Sequence, residues 1–176
     1  MKIMALDLGG GTGIAVDGAE PWVPILIPVR LPRAHDGAYG PGGWILWQKV
    51  CALIEEHRPE MLCFEAPMKT GGKKGFSNEA AHAQQLGRAY LIETIAAKYQ
   101  LPCESEAVST IRKHFVGHGR PENAKHAVHE RCRILGWRAP DYDCADAAAV
   151  WDYFKSLYSS GWGARVTPLM MSGRPR

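Results

Sequence analysis

The chain has 176 residues, 46% of them hydrophobic and 22% charged, which is enough for one domain with a sizeable core and too apolar for a disordered chain. It contains no run of 18 apolar residues and no charged-then-apolar N-terminal leader, so the expectation is a cytoplasmic protein with no membrane partner. Five cysteines (Cys51, Cys63, Cys103, Cys132, Cys144) without a Cys-x-x-Cys pair argue against a zinc site or a disulfide framework and read as reduced, mostly buried thiols.

The net charge of +3 is unevenly spread. Residues 1–68 carry five Lys/Arg against eight Asp/Glu, residues 69–138 twelve against six, and residues 139–176 four of each. A basic middle flanked by acids fits a polyanionic partner, nucleic acid first among them. A solvated basic face is the plain alternative.

In chain order, Ile3 to Leu6 predicts a buried strand ending on Asp7, and Gly9, Gly10 and Gly11 turn the backbone into a second strand from Thr12 to Val16. An acid at the end of a buried first strand, beside glycines that let a bulky ligand approach, serves two chemistries. It holds metal ions that cut a phosphodiester, or it borders a loop that nests nucleotide phosphates. A tight turn with a solvated aspartate is the plain reading. Asp17 to Glu20 predicts a turn, and Trp22 to Arg30 a third strand, at an edge or irregular because of Pro24 and Pro28. Residues 32–43 read as a Gly/Pro loop. Apolar residues at 46, 47, 50, 53 and 54 predict a helix over Trp44 to His57, ended by Pro59.

Met61 to Phe64 predicts a buried strand ending on Glu65, followed by a mobile basic loop from Lys69 to Phe76. Glu79 to Gln100 reads as a long helix and Leu101 to Glu106 as a strand. Val108 to Phe115 and Asn123 to Leu135 read as helices, and Asp143 to Tyr158 as the last one. Residues 159–176 hold three arginines and no acid and predict a flexible basic tail after a single domain spanning residues 1–158.

Three hairpin-linked strands followed by strands with helical crossovers predict an α/β fold: a ribonuclease H-like mixed five-stranded sheet flanked by helices, with the ends of the first and fourth strands side by side. Asp7 and Glu65 then meet at the sheet edge. Asp143 and Asp146, three residues apart, share a face at the start of the last helix, where the helix dipole favours negative charge. Taken alone, that pair also fits a capped and solvated helix start. Four carboxylates so arranged form an oxygen-rich cage for Mg²⁺ or Mn²⁺, and two such ions ~3.5–4 Å apart activate a water and stabilise a leaving 3′ oxygen.

These motifs resemble the RuvC-type Holliday junction resolvases over roughly residues 1–157. The resemblance rests on Asp7-x-Gly9 closing on Thr12-Gly13, Glu65 after an apolar strand, and Asp143-x-x-Asp146-Ala147 at a helix start. Val116-Gly117-x-Gly119-Arg120 followed by Lys125, and Gln85-Leu86-Gly87-Arg88 on the long helix, also fit. It implies an Mg²⁺-dependent homodimer that nicks two strands of a four-way DNA junction, with Asp7, Glu65, Asp143 and Asp146 as catalytic metal ligands. Leu8 stands where bacterial members usually have proline, the spacing from Gly119 to Lys125 is longer than usual, and the loop after Glu65 differs. A phage-type or divergent member is the reading.

The basic residues follow from this. Lys125 stands either at the scissile phosphate, stabilising transition-state charge, or as a solvated helix lysine. Arg112, Lys113 and Arg120 are expected to contact phosphates without reading sequence. Lys69, Lys73 and Lys74 do so from the loop after Glu65. Phe76 either stacks on an opened base or tucks onto the following helix. His118, His126 and His129 read as surface or DNA-facing groups rather than a metal site. An actin-like ATPase is disfavoured because the chain lacks a second domain and a second phosphate loop. A non-catalytic junction-binding protein is disfavoured because all four acids are present.

Overall fold

The computed structural model describes residues 1–9, 11–20, 22–32, 39–67 and 79–162. Five strands, β1 (Ile3–Asp7), β2 (Thr12–Asp17), β3 (Pro24–Val29), β4 (Met61–Glu65) and β5 (Cys103–Glu106), form one sheet in the order β3-β2-β1-β4-β5. The three hairpin-linked strands pair antiparallel, while β1–β4 and β4–β5 pair parallel. The predicted mixed five-stranded α/β sheet is therefore the observed one. β3 is an edge strand, where alternate backbone N–H groups point away from the neighbour and Pro24 and Pro28 cost no ladder bond.

Strand parity divides the core into two layers. Met4, Leu6, Ile14, Val16, Leu62 and Phe64 pack against α1 (Gly40–His57) and α2 (Glu79–Tyr99). Ile3, Ala5, Ala15, Met61 and Cys63 face α3 (Val108–Val116), α4 (Ala124–Ile134) and α5 (Tyr142–Tyr158). A central strand with both faces buried needs an unbroken apolar run, and β1 and β4 supply one.

Several boundaries differ from the sequence reading. α1 starts four residues earlier than predicted, because Pro41 lies in its first turn, where a missing N–H costs nothing. Its end is set by Arg58 in the left-handed region (φ 50°), whose N–H reaches the Ile54 carbonyl at 2.9 Å, directly before Pro59. β5 begins at Cys103 rather than Leu101. α5 begins at Tyr142 because the Asp141 carboxylate caps it, accepting the Cys144 N–H at 2.8 Å. Trp44, in the first turns of α1, is 61% exposed. No disulfide forms among the five cysteines, as the sequence implied.

The far end of α5 is tied down by buried polar groups. Lys155 Nζ donates to Asp17 Oδ1 at 2.5 Å and to the Met1 carbonyl at 2.8 Å, and Asp17 Oδ2 also accepts from Trp151 Nε1 and the Ile3 N–H. Trp162, which the sequence reading assigned to the basic tail, is buried against Trp22 and Trp151, and its Nε1 donates to the buried Asp152 at 2.7 Å. Residues 163–176, the rest of that expected tail, lie outside the described residues. Trp162→Ala is expected to lower the unfolding free energy by about 3 kcal/mol, through the lost ring packing and an orphaned Asp152 acceptor, as read by urea titration of the metal-free protein.

Candidate active site

The parallel register sets Leu6 beside Phe64, so Asp7 and Glu65 leave the sheet together at the same end. Parity turns both toward the layer that holds α5, continuing the rows Ile3, Ala5 and Met61, Cys63. α5 approaches this sheet end unusually closely. A Cβ on Gly13 would overlap the Asp143 carbonyl and the Cys144 nitrogen, and one on Gly11 would overlap the Asp143 carboxylate. Glycine at 13 is thus required by the helix backbone, while a side chain at 11 would displace only the Asp143 carboxylate; the sequence reading assigned the glycine run at 9–11 to turning the backbone. Alanine at 145, 147, 148 and 149, each buried, serves the same approach from the helix side.

The result is a cleft of about 290 Å³ whose wall includes Asp7, Glu65, Asp146, Arg112, Lys125 and Gln85. Asp7 and Asp146 are 5% and 4% exposed, so neither is the solvated acid of the plain reading. Asp143 lies beside this wall, over Gly11, with Oδ1 3.4 Å from Lys125 Nζ. Arg112 Nη2 stands 3.8 Å from Asp146 Oδ1. The Gly9 N–H donates to Asp7 Oδ1 at 3.0 Å.

Burial raises the Asp7 pKa to about 7, aided by repulsion from Asp146, while the Gly9 N–H opposes the rise. Burial raises that of Glu65 to about 8, with Asp7 and Asp146 adding to it and Arg112 and Lys125 pulling it down. Asp146 is pushed up by burial against the opposing pull of Arg112 and Lys125. Burial disfavours the Lys125 ammonium, but Asp143, Asp146 and Asp7 outweigh it and hold its pKa above the usual lysine value. Like charges held in a partly dry cleft attract a cation more strongly than solvated ones.

The donor chemistry fits a hard divalent ion: carboxylate oxygens only, mutually repelling, at one cleft. Among the described residues no three His, Cys, Asp or Glu side chains already converge on one point. Ligation therefore requires side-chain rotation, with Asp143 leaving Lys125. The residues that would hold the ion are Asp7, Glu65 and Asp146, joined by Asp143.

Of the expected phosphate contacts, Arg112 is inside the cleft, while Lys113 and Arg120 are exposed on and just beyond α3. Lys69, Lys73, Lys74 and Phe76 lie outside the described residues. His118 and His126 are exposed, and His129 Nε2 lies 3.2 Å from the Ala139 carbonyl. Sequence reasoning did not assign site positions to Gln85 and Arg88 of α2. Their arrival from the opposite face of the sheet follows from the β4-α2-β5 crossover, not from spacing to any acid.

The two raised acids set the pH dependence of the metal-free fold. Above their ordinary values of 3.8 and 4.5 the unfolded chain releases both protons, while the folded protein holds them until about pH 7 and 8. Stability is therefore expected to fall as pH rises across that window and to level off above it. Asp7→Asn should flatten this slope and melt at a higher temperature than the parent at about pH 8. Added Mg²⁺ should stabilise the parent more than the variant. Thermal melts across pH check each sign.

Neither a family model nor a curated protein sequence matches the chain. Solved structures do. Thermus thermophilus RuvC superposes with a TM-score of 0.64 at 18% identity, covering 89% of this chain and 96% of that one. T. thermophilus RuvC in complex with Holliday junction substrate gives 0.66 at 15% identity, covering 85% and 90%. The yeast mitochondrial Holliday junction resolvase Ydc2 gives 0.51 at 13% identity, covering 84% and 75%. With its sheet order, crossovers and acid-bearing strand ends, this chain has the ribonuclease H-like fold of the RuvC-type resolvases.

Proposed function

We propose that the chain is a metal-dependent endonuclease that binds branched DNA and resolves Holliday junctions by paired symmetric nicks, leaving 5′-phosphate and 3′-hydroxyl ends. The observation that carries this reading is the convergence of Asp7, Glu65 and Asp146 on one cleft, with burial and repulsion raising the pKa of each. The likeness to RuvC bound to a Holliday junction substrate supports it.

In this reading Asp7, Glu65, Asp143 and Asp146 ligate Mg²⁺, for which Mn²⁺ substitutes. The chemistry a bound ion pair supplies is activation of a water and stabilisation of the leaving 3′ oxygen. Lys125, released from Asp143, neutralises charge developing on the scissile phosphate. Arg112 is the second cation at the cleft, and Lys113 and Arg120 extend the phosphate contacts outward along α3. Lys69, Lys73 and Lys74 belong to the segment directly after Glu65 and engage phosphates there, with Phe76 stacking on an opened base.

Two symmetric nicks need two active sites, so the working unit is a homodimer, assembled through α2. Leu86 and Tyr90 on that helix are 49% and 73% exposed, which supports the assignment. No described helix is long and apolar enough to cross a membrane, and the DNA-bearing cytoplasm is the proposed location. The buried carboxylates favour a nuclease over a non-catalytic junction binder, because a binding surface has no use for mutually repelling acids beneath it.

Asp7→Asn, Glu65→Gln and Asp146→Asn should each reduce cleavage of a labelled four-way junction to background, while junction affinity by fluorescence anisotropy stays within a fewfold of the parent. Parental cutting by any of the three removes the four-acid mechanism. Light scattering at micromolar concentration should give a dimer mass; a monomer both with and without DNA would contradict the assembly. Phe76→Ala should keep the fold but slow cutting and weaken the brightening of a fluorescent base analogue at the junction centre, since a lost base–aromatic stack costs ~1–3 kcal/mol.

A further inference from the structure

We propose that Arg88 is a positioning residue for Asp7: from the opposite face of the sheet it clamps the peptide whose N–H orients the Asp7 carboxylate. This rests on the nuclease reading above for its catalytic consequence, but not for its geometry. Arg88 is on α2 and only 6% exposed. A guanidinium cannot shed its proton to escape burial, so it must be hydrogen-bonded. Its Nη1 donates to the Leu8 carbonyl at 3.3 Å and to the Gly9 carbonyl. These are the first two carbonyls after the acid.

The Leu8 carbonyl and the Gly9 N–H belong to the same peptide plane. That plane is rigid, so fixing its oxygen fixes the direction of its N–H. The N–H donates to Asp7 Oδ1 at 3.0 Å. Arg88 therefore sets one carboxylate oxygen through one planar unit and leaves Oδ2 free of that bond. Burial disfavours the Arg88 cation, and the nearby Asp7 and Asp143 oppose that shift.

Arg88 also borders a second cavity, of about 250 Å³, between the glycine-rich start of α1 (Gly40, Gly42, Gly43) and Gly87 of α2. Removal of the Arg88 side chain would extend this cavity toward the Leu8 and Gly9 carbonyls. A guanidinium ion can thus reach the space that Arg88→Ala would vacate.

The test uses the full chain. Arg88→Lys retains a buried cation but replaces the rigid, planar guanidinium, whose Nη1 alone donates to both carbonyls, with a shorter, flexible ammonium. It is expected to fold, by circular dichroism, and to bind junction DNA with parental affinity. Its affinity for Mn²⁺ without DNA, read by electron paramagnetic resonance, should fall about tenfold, with kcat for cutting falling similarly at unchanged KM. Arg88→Ala should lose more, and guanidinium below denaturing concentration should restore its Mn²⁺ affinity where methylammonium does not. Parental Mn²⁺ affinity in Arg88→Lys, or no guanidinium rescue of Arg88→Ala, overturns the proposal. A parent that binds Mn²⁺ but cuts no junction refutes the nuclease reading instead, and the Mn²⁺ comparison still decides the role of Arg88.

Discussion

Two carboxylates emerging side by side from adjacent parallel strands into a half-dry cleft is the constraint on which the structure turns. Asp7 and Glu65 repel each other, and each is cut off from the water that would solvate its charge. Such a pair destabilises a fold that has nothing else to gain from it. Asp146 adds to that cost, and four contacts moderate it: the Gly9 N–H on Asp7, Arg112 against Asp146, Lys125 against Asp143, and Arg88 beneath the turn. The metal-free protein thus holds in place, by its own cations, the charges that a divalent ion would neutralise.

Bringing Asp146 to those strand ends demands a helix that nearly touches the sheet. Small residues on both sides make this possible, with Gly11 and Gly13 on the hairpin and the run of alanines on α5. Its other end is held by Lys155 on Asp17 and the Met1 carbonyl, and by the tryptophan cluster around Trp151. A helix anchored at both ends keeps one position, so Asp146 meets Asp7 without the positional freedom of a loop. The half-buried Asp17–Lys155 pair reads as a register device, since drawing two charges out of water gains little stability by itself.

The likeness to RuvC and Ydc2 structures at 13–18% identity over at least 84% of the chain is a likeness of fold. A fold persists while core side chains exchange for others of suitable volume. Function resides in the site carried on a fold, and the candidate site here is the cleft between the strand ends, α3 and α5.

Much of this was legible in the residues themselves. Short unbroken apolar runs, each closed by an acid, placed Asp7 and Glu65 at strand ends, and i, i+3 spacing set Asp146 on the face of α5 that carries Asp143. Turn residues and prolines located most elements, and Pro24 and Pro28 marked β3 as an edge. These are local rules, and a sequence states them directly. The sequence did not tell which cation meets which acid, that Asp143 is held by Lys125 in the metal-free state, that Arg88 reaches the Leu8–Gly9 turn from α2, or that Trp162 belongs to the core. Those contacts join residues from 10 to 140 positions apart. They depend on how the α2 crossover and the last helix settle on opposite faces of one sheet, and close packing across the whole chain, rather than any local pattern, decides that.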